Sequence, residues 1–366
     1  MVIAMKERLI GLDLLRSIIM FFGPTFHASM LLTGAWGFEY SFGYARELDA
    51  ALDFTHYFRM ELFFLISGFF SALVITKKGR GRFVENRVKR IIVPTLASIA
   101  IILPLISLEM SALFADRDWA DYLSYKHLWF LVTLSMISLL VMLAPVTLSN
   151  AIAAVARRLN ALPWLLLLPA MACLVYGCMA FNSLTAPLQR SHEIFSLLQI
   201  NQMVNYLPFY FIGMVLYYLE KRITLGWSVA FAGIYILWYL LFKADIAGLA
   251  LVSKFSKGLC ALLICLGIFF VFKNLKMNAS AGVTFLTSIA LPFYLVHLPV
   301  LLLLAWMWMT VGGSHNPYYF MLFVIPSTCL LSVALGYQMT RYKLLRLLFG
   351  LSEVNTASRP PRQVAA

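Results

Sequence analysis

"GLDLLRSIIMFFGPTFHASMLL", residues 11–32, is apolar over a length that crosses a hydrocarbon layer roughly 30 Å thick, yet it holds Asp13, Arg16, Gly23, Pro24 and His27. Ionisable side chains inside a bilayer cost at least a few kcal/mol, so they are paired, face water or perform a task. Arg16 and His27 stand eleven residues apart. On a helix that is about three turns and about 16 Å, and at 100° per residue it brings them nearly into register on one face. Between them Pro24 lacks a backbone donor and presses on the carbonyl of Met20, which predicts a kink one turn before His27. The competing reading is a membrane helix with an ordinary Gly-Pro pair and a packed histidine.

The same pattern recurs along the chain. Of its 366 residues, 62% are hydrophobic and 12% charged, far from the soluble norm of roughly a quarter charged. This composition predicts an all-α polytopic membrane protein of about ten transmembrane helices. The expected spans are 8–34, 56–76, 88–109, 127–149, 161–181, 201–220, 225–243, 250–272, 284–310 and 318–340, followed by a disordered tail over 351–366. A single membrane domain over 1–350 accounts for the rest. Asp13 and Arg16 interrupt the first apolar run, so it reads as a helix and not as a cleaved leader. Apart from Arg16 and Arg59, the 29 Lys and Arg fall 20 on the side of the termini and 7 on the other. The positive-inside rule then puts both termini in the cytoplasm, and the net charge of +13 requires no nucleic acid. The five cysteines all lie within spans as packing residues, and neither a disulfide framework nor a metal site is expected.

Further expensive residues gather near one surface. The second span opens "HYFRMELFFLISGFF", with His56, Arg59 and Glu61 at the depth of His27. Arg59 and Glu61, two residues apart, point about 200° away from each other and cannot form one simple pair; the competing reading is a set of snorkelling interfacial charges. Gly68, on the face of Glu61, admits a close neighbour, either a helix or a ligand. "KHLWFLVTL" brings His127 and Trp129 to the same surface, where tryptophan also serves as a membrane-belt anchor. "IALPFYLVHLPVLLLLAW" places His297 near mid-membrane, with Tyr294 before it and Pro292 and Pro299 on either side, which suggests a locally opened helix; a satisfied core histidine fits equally. At the other surface, "KKGRGRFVENRVKR" (77–90) has seven basic residues in fourteen. Most of that is the positive-inside rule, and the remainder suits a loop that holds phosphates.

Taken together, "LDLLRSIIMFFGPTFHASM", "FRMELFFLISGFFSALV", "NRVKRIIVPTL", "HLWFLVTL", "YLPFYFIG" and "FYLVHLPVLL" resemble the acyltransferase-3 family of polytopic membrane O-acyltransferases, and within it the glucan-succinylating branch. The family's basic residue, ten others, then histidine is met by Arg16 and His27. Its Ser-Gly element is met by Ser67 and Gly68, and its Arg-x-x-Arg element by Arg87 and Arg90. The resemblance implies a catalytic His27 and a donor side made of Arg16, Arg87 and Arg90 with Ser67 and Gly68. It also implies a coenzyme A thioester donor, succinyl-CoA in that branch, and a bacterial inner membrane with the active site open to the periplasm.

The expected reaction is acyl transfer to a hydroxyl of a periplasmic glucan or other envelope glycan, with neutral His27 as general base. Glu61 and Arg59 are expected beside it to orient the ring and to bind a carboxylate or oxyanion, with exchangeable roles. Asp13, His127, Trp129, Tyr294 and His297 are the supporting residues. O-acetylation of another envelope polysaccharide or lipid-linked sugar is the alternative within the family. A polysaccharide or acyl-carrier transporter is the alternative outside it, and predicts two matching halves with discontinuous helices that the sequence does not display. Oligomeric state is not legible in this pattern.

Overall fold

The computed structural model describes residues 9–33, 42, 45–114, 118–191, 193–244, 250–278 and 280–352. These residues form helices and turns with no strand among them. In chain order the α-helices are α1 (Ile10–Phe21), α2 (Gly23–Leu32), α3 (Arg46–Arg87), α4 (Val93–Phe114), α5 (Trp129–Leu143), α6 (Pro145–Asn160) and α7 (Trp164–Ser191). They continue with α8 (Glu193–Leu197), α9 (Ile200–Tyr218), α10 (Leu225–Ala244), α11 (Ala250–Asn274), α12 (Ala281–Thr310), α13 (Pro317–Arg341) and α14 (Lys343–Leu348). A single π-turn, Val88–Ile92, joins α3 to α4, and two short 3₁₀ turns, Trp119–Tyr122 and Lys126–Leu128, lead into α5.

Each expected span falls, among the described residues, mainly on helix. Among the described residues eight segments are long and apolar enough to cross a membrane. One of them, Phe54–Phe114, contains two expected spans run together. The helix Ile200–Tyr218 is not among the eight; Asn201, Gln202, Asn205 and its tyrosines dilute its apolar character.

Three expectations about the joints are corrected. The basic stretch 77–90 is not a loop: two helical segments of α3 meet at a kink at Gly79, whose non-helical φ of 78° and ψ of 174° suit a residue without Cβ, and the second segment runs to Arg87. The expected span 127–149 breaks at Ala144, because a residue before proline is pushed out of the helical region and Pro145 opens a new helix. The resulting α6 runs to Asn160 and ends on Arg157 and Arg158. Third, α12 passes unbroken through Pro292 and Pro299, so the opened helix expected there does not occur. Of the expected tail, Leu351 and Ser352 are described and 353–366 lie outside the described residues.

Two close helix approaches organise the bundle. Helix α3 packs along α9, and α12 packs against α1, α2, α4 and α13. Between α3 and α9 small residues bring the backbones together. A Cβ added to Gly68 would run into the carbonyl of Tyr210, and one on Gly213 into that of Leu65. Ser280 caps α12 by accepting from the Val283 N–H at 3.3 Å, and Asn316 caps α13 by accepting from the Tyr318 N–H at 2.9 Å.

The glycine contact is testable. Gly68→Ala is expected to lower the thermal-unfolding midpoint of the detergent-solubilised protein, at a cost of about 1–3 kcal/mol for overpacking. Gly177, with no atom within 4 Å of an added Cβ, is the control. Gly177→Ala is expected to leave the midpoint unchanged or raise it, since a helical Ala loses less conformational freedom than Gly.

Candidate active site

The first helical segment is broken where the sequence predicts a kink. Helix α1 stops at Phe21, Phe22 forms the joint, and α2 restarts at Gly23 with Pro24 in its first turn. Proline suits that position because its missing N–H would have no intrahelical partner there. The break leaves the two halves packed end to end, and it sets His27 against α12.

The absence of a side chain at Gly23 is what admits the neighbour. A Cβ there would stand 2.7 Å from Nε2 of His297 and 3.0 Å from its Cε1, so only glycine allows that ring to lie against the break. Three histidines from three parts of the chain then converge. His27 and His297 lie 5.3 Å apart between ring centres, His127 and His297 5.0 Å, and His27 and His127 6.1 Å. His127 and His297 are buried, at 3% and 0% exposure. Tyr294 ties this group together: its hydroxyl donates to the His127 carbonyl, and its own carbonyl receives Nδ1 of His297 at 2.6 Å. Among the described residues no group of three His, Cys, Asp or Glu side chains is placed to hold a metal ion.

These residues line a cavity of about 70 Å³. Its cation is Arg59, whose guanidinium carbon lies 4.0 Å from the centre of the Phe26 ring. His56 stacks on the same phenyl ring at 5.6 Å. Trp129 closes another side and stacks on Tyr206 at 5.4 Å, which in turn stacks on Phe64 at 4.7 Å. A wall of stacked rings excludes water and fixes the guanidinium plane, so the donors of Arg59 are available to an anionic group. No aspartate or glutamate is among the described residues that line the cavity.

Of the residues singled out in the sequence, Gly23, His27, His56, Arg59, His127, Trp129, Tyr294 and His297 meet here. The others do not. Glu61 shares its face of α3 with Tyr57 and Phe58, three and four residues earlier. That face packs against α10, Tyr57 meeting Trp238 and Phe242, and Phe58 meeting Tyr235. The register that separates Arg59 from Glu61 therefore sends the carboxylate away from the cavity. Ser67, 6% exposed, and Gly68 lie in the α3–α9 contact, where the Tyr210 backbone fills the space a donor would need. The Ser-Gly element in this chain packs helices.

Arg16 does not line the cavity either: eleven residues of helix set it about 16 Å along the axis from His27. Its guanidinium carbon is 5.7 Å from the centre of the Phe70 ring. Asp13 lies one turn before it on α1. Arg87 turns into the bundle and donates to the Ser71 hydroxyl, which is itself hydrogen-bonded to the Tyr210 hydroxyl. Arg16 and Arg87 thus reach α3 at consecutive residues, seven positions or about 10 Å from Phe63 of the cavity. Arg90 goes elsewhere: it is exposed, 3.5 Å from the Ser352 hydroxyl. The π-turn that begins at Val88 changes the winding between the two arginines and separates them.

The sequence reading passed over Gly23 as a contact, Phe26 as a platform and Met60 and Phe63 as cavity lining. Phe26 carried a signal, being adjacent to His27, but its pairing with Arg59 needs the tertiary fold.

The acyltransferase-3 family model, described as an acyltransferase domain, matches residues 9–337. The glucans biosynthesis proteins C of Salmonella schwarzengrund, Salmonella paratyphi B and Salmonella heidelberg are each 31% identical over 140 residues, which is 35% of this chain and 36% of theirs. The match therefore spans about a third of the length of these curated relatives. No solved structure matches.

The Tyr294 hydroxyl gives a direct test of the assembly. Tyr294→Phe removes one buried hydrogen bond and leaves the His127 carbonyl without its donor. It is expected to cost about 1 kcal/mol or slightly more, read as a lower thermal-unfolding midpoint with unchanged helix content by circular dichroism. An unchanged midpoint would mean that α12 is not anchored through this bond.

Proposed function

The chain belongs to the acyltransferase-3 family of membrane acyltransferases, and from that membership and the chemistry of the cavity we propose that it transfers a succinyl group from a coenzyme A thioester to hydroxyls of periplasmic glucans. The observation that carries the proposal is the pairing of His27 with Arg59 in one cavity whose described lining contains no carboxylate. A dicarboxylic acyl group brings a negative charge, and Arg59 is the complementary cation. An acetyl group would bring no anion to that guanidinium within the cavity.

In this reading the acceptor hydroxyl attacks the thioester carbonyl carbon. Its proton passes to an unprotonated nitrogen of His27, the C–S bond breaks, and the imidazolium returns the proton to the departing thiolate sulfur. Arg59 holds the distal carboxylate of the acyl group. Arg16 and Arg87, about 10 Å further along α3, mark the route of the donor's long arm from the cytoplasm. The inner membrane is the expected location, with the cavity open to the periplasm. The name of the Salmonella relatives, glucans biosynthesis protein C, supports a glucan acceptor.

Three measurements test this. Deletion of the gene is expected to remove succinate from periplasmic glucans, and unchanged succinate content would remove the substrate assignment. His27→Ala is expected to lower transfer roughly 100- to 10,000-fold, the usual worth of a general base, at normal membrane levels. Retained activity in that variant would remove the mechanism. Arg59→Gln is expected to depress succinyl transfer at least about tenfold while sparing any acetyl transfer; equal loss for both acyl groups would take the carboxylate away from Arg59.

A further inference from the structure

His297 is fully buried in α12, at 0% exposure, and one bond fixes its state. A backbone carbonyl only accepts, so the ring nitrogen 2.6 Å from the Tyr294 carbonyl, Nδ1, carries the proton. A neutral imidazole protonated at Nδ1 presents a lone pair at Nε2. That Nε2 has no hydrogen-bond partner among the described residues. The ring lines the cavity and packs against Gly23, where a Cβ would sit 2.7 Å from Nε2. Buried acceptors are nearly always satisfied, and an unpartnered one on a ring that lines a cavity is suited to a donor brought by a ligand. The His27 ring lies 5.3 Å away, so a molecule bonded to Nε2 also lies alongside the imidazole that takes the proton.

The geometry points to a sugar-hydroxyl subsite at His297: Nε2 accepts a hydrogen bond from an acceptor hydroxyl neighbouring the one that His27 deprotonates. This rests on the proposed transfer to a glycan. The subsite takes a polyol, in which one hydroxyl reacts at His27 while a second is held at His297. It disfavours a simple alcohol, because a site built to bond a hydroxyl is left with an unpaired buried group when that hydroxyl is missing. His297 thereby selects which position of the sugar is presented to the acyl carbon.

Binding of a linear glucooligosaccharide and its monodeoxy derivatives to the purified full-length protein, by calorimetry without acyl donor, separates the possibilities. Wild type is expected to bind one monodeoxy derivative about tenfold more weakly than the parent, the scale of one hydrogen bond with its partner left bare. His297→Leu is expected to bind the parent and that derivative equally weakly. His297→Gln, whose amide oxygen reaches the Nε2 position, is expected to restore the discrimination, and His27→Ala to retain it. Restoration by His297→Gln also guards against a folding defect of His297→Leu. Normal parent binding with wild-type discrimination in His297→Leu, or a loss of discrimination that His297→Gln does not restore, would overturn the subsite alone. Absence of any glucooligosaccharide binding by wild type would overturn the subsite and the glucan acceptor together.

Discussion

The contact between Gly23 and His297 depends on two things missing from the chain: a side chain at residue 23 and a backbone N–H at residue 24. In a bilayer a helix cannot be opened cheaply, because no water is present to receive the freed carbonyl. The break at Phe22 is tolerated where α12 packs against both halves. Phe21 lies on Phe293 at 4.3 Å between ring centres, and His297 fills the hollow at Gly23 one turn further along. The cavity follows from that fit. With a continuous helix or a larger residue 23, the three imidazoles would have no common space.

A second layer of constraint holds the partner helices in position. Tyr294 bonds to the turn that carries His127, and Gly68 and Gly213 bring α3 onto α9 so that Arg59 projects beside Phe26. The molecule is thereby divided along α3 into a cavity with three histidines and, about 10 Å away, a region where Arg16 and Arg87 meet Phe70 and Ser71. A donor with a reactive end and a distant polyanionic end spans such a separation. A compact donor does not.

The fold was largely legible in the sequence because the bilayer enforces it: apolar length sets each helix, and among the described residues each expected span falls mainly on helix. The misread joints were decided by local chemistry. Pro145 splits the expected span at Ala144, and Gly79 kinks a basic segment between two helical stretches. The site was legible through its cost. His27, Arg59, His127 and His297 stand out as ionisable residues in apolar surroundings, and all four meet. The register also gave warning about Glu61, which two residues of helix turn away from Arg59. What the sequence could not disclose were the tertiary contacts: Gly68 set against the Tyr210 carbonyl, Arg87 and Arg90 parted by a π-turn, and Arg16 laid against Phe70.

The central claim is that the broken first helix builds one cavity where the acyl group meets His27. An electron cryomicroscopy structure of the full chain in a lipid nanodisc, with a non-reactive thioether analogue of succinyl-coenzyme A, tests it most directly. The account predicts a helix interrupted at Phe22 and density for the acyl end between His27 and Arg59, its arm running past Arg16. A continuous first helix, or an acyl end bound elsewhere with His27 facing lipid, would contradict it.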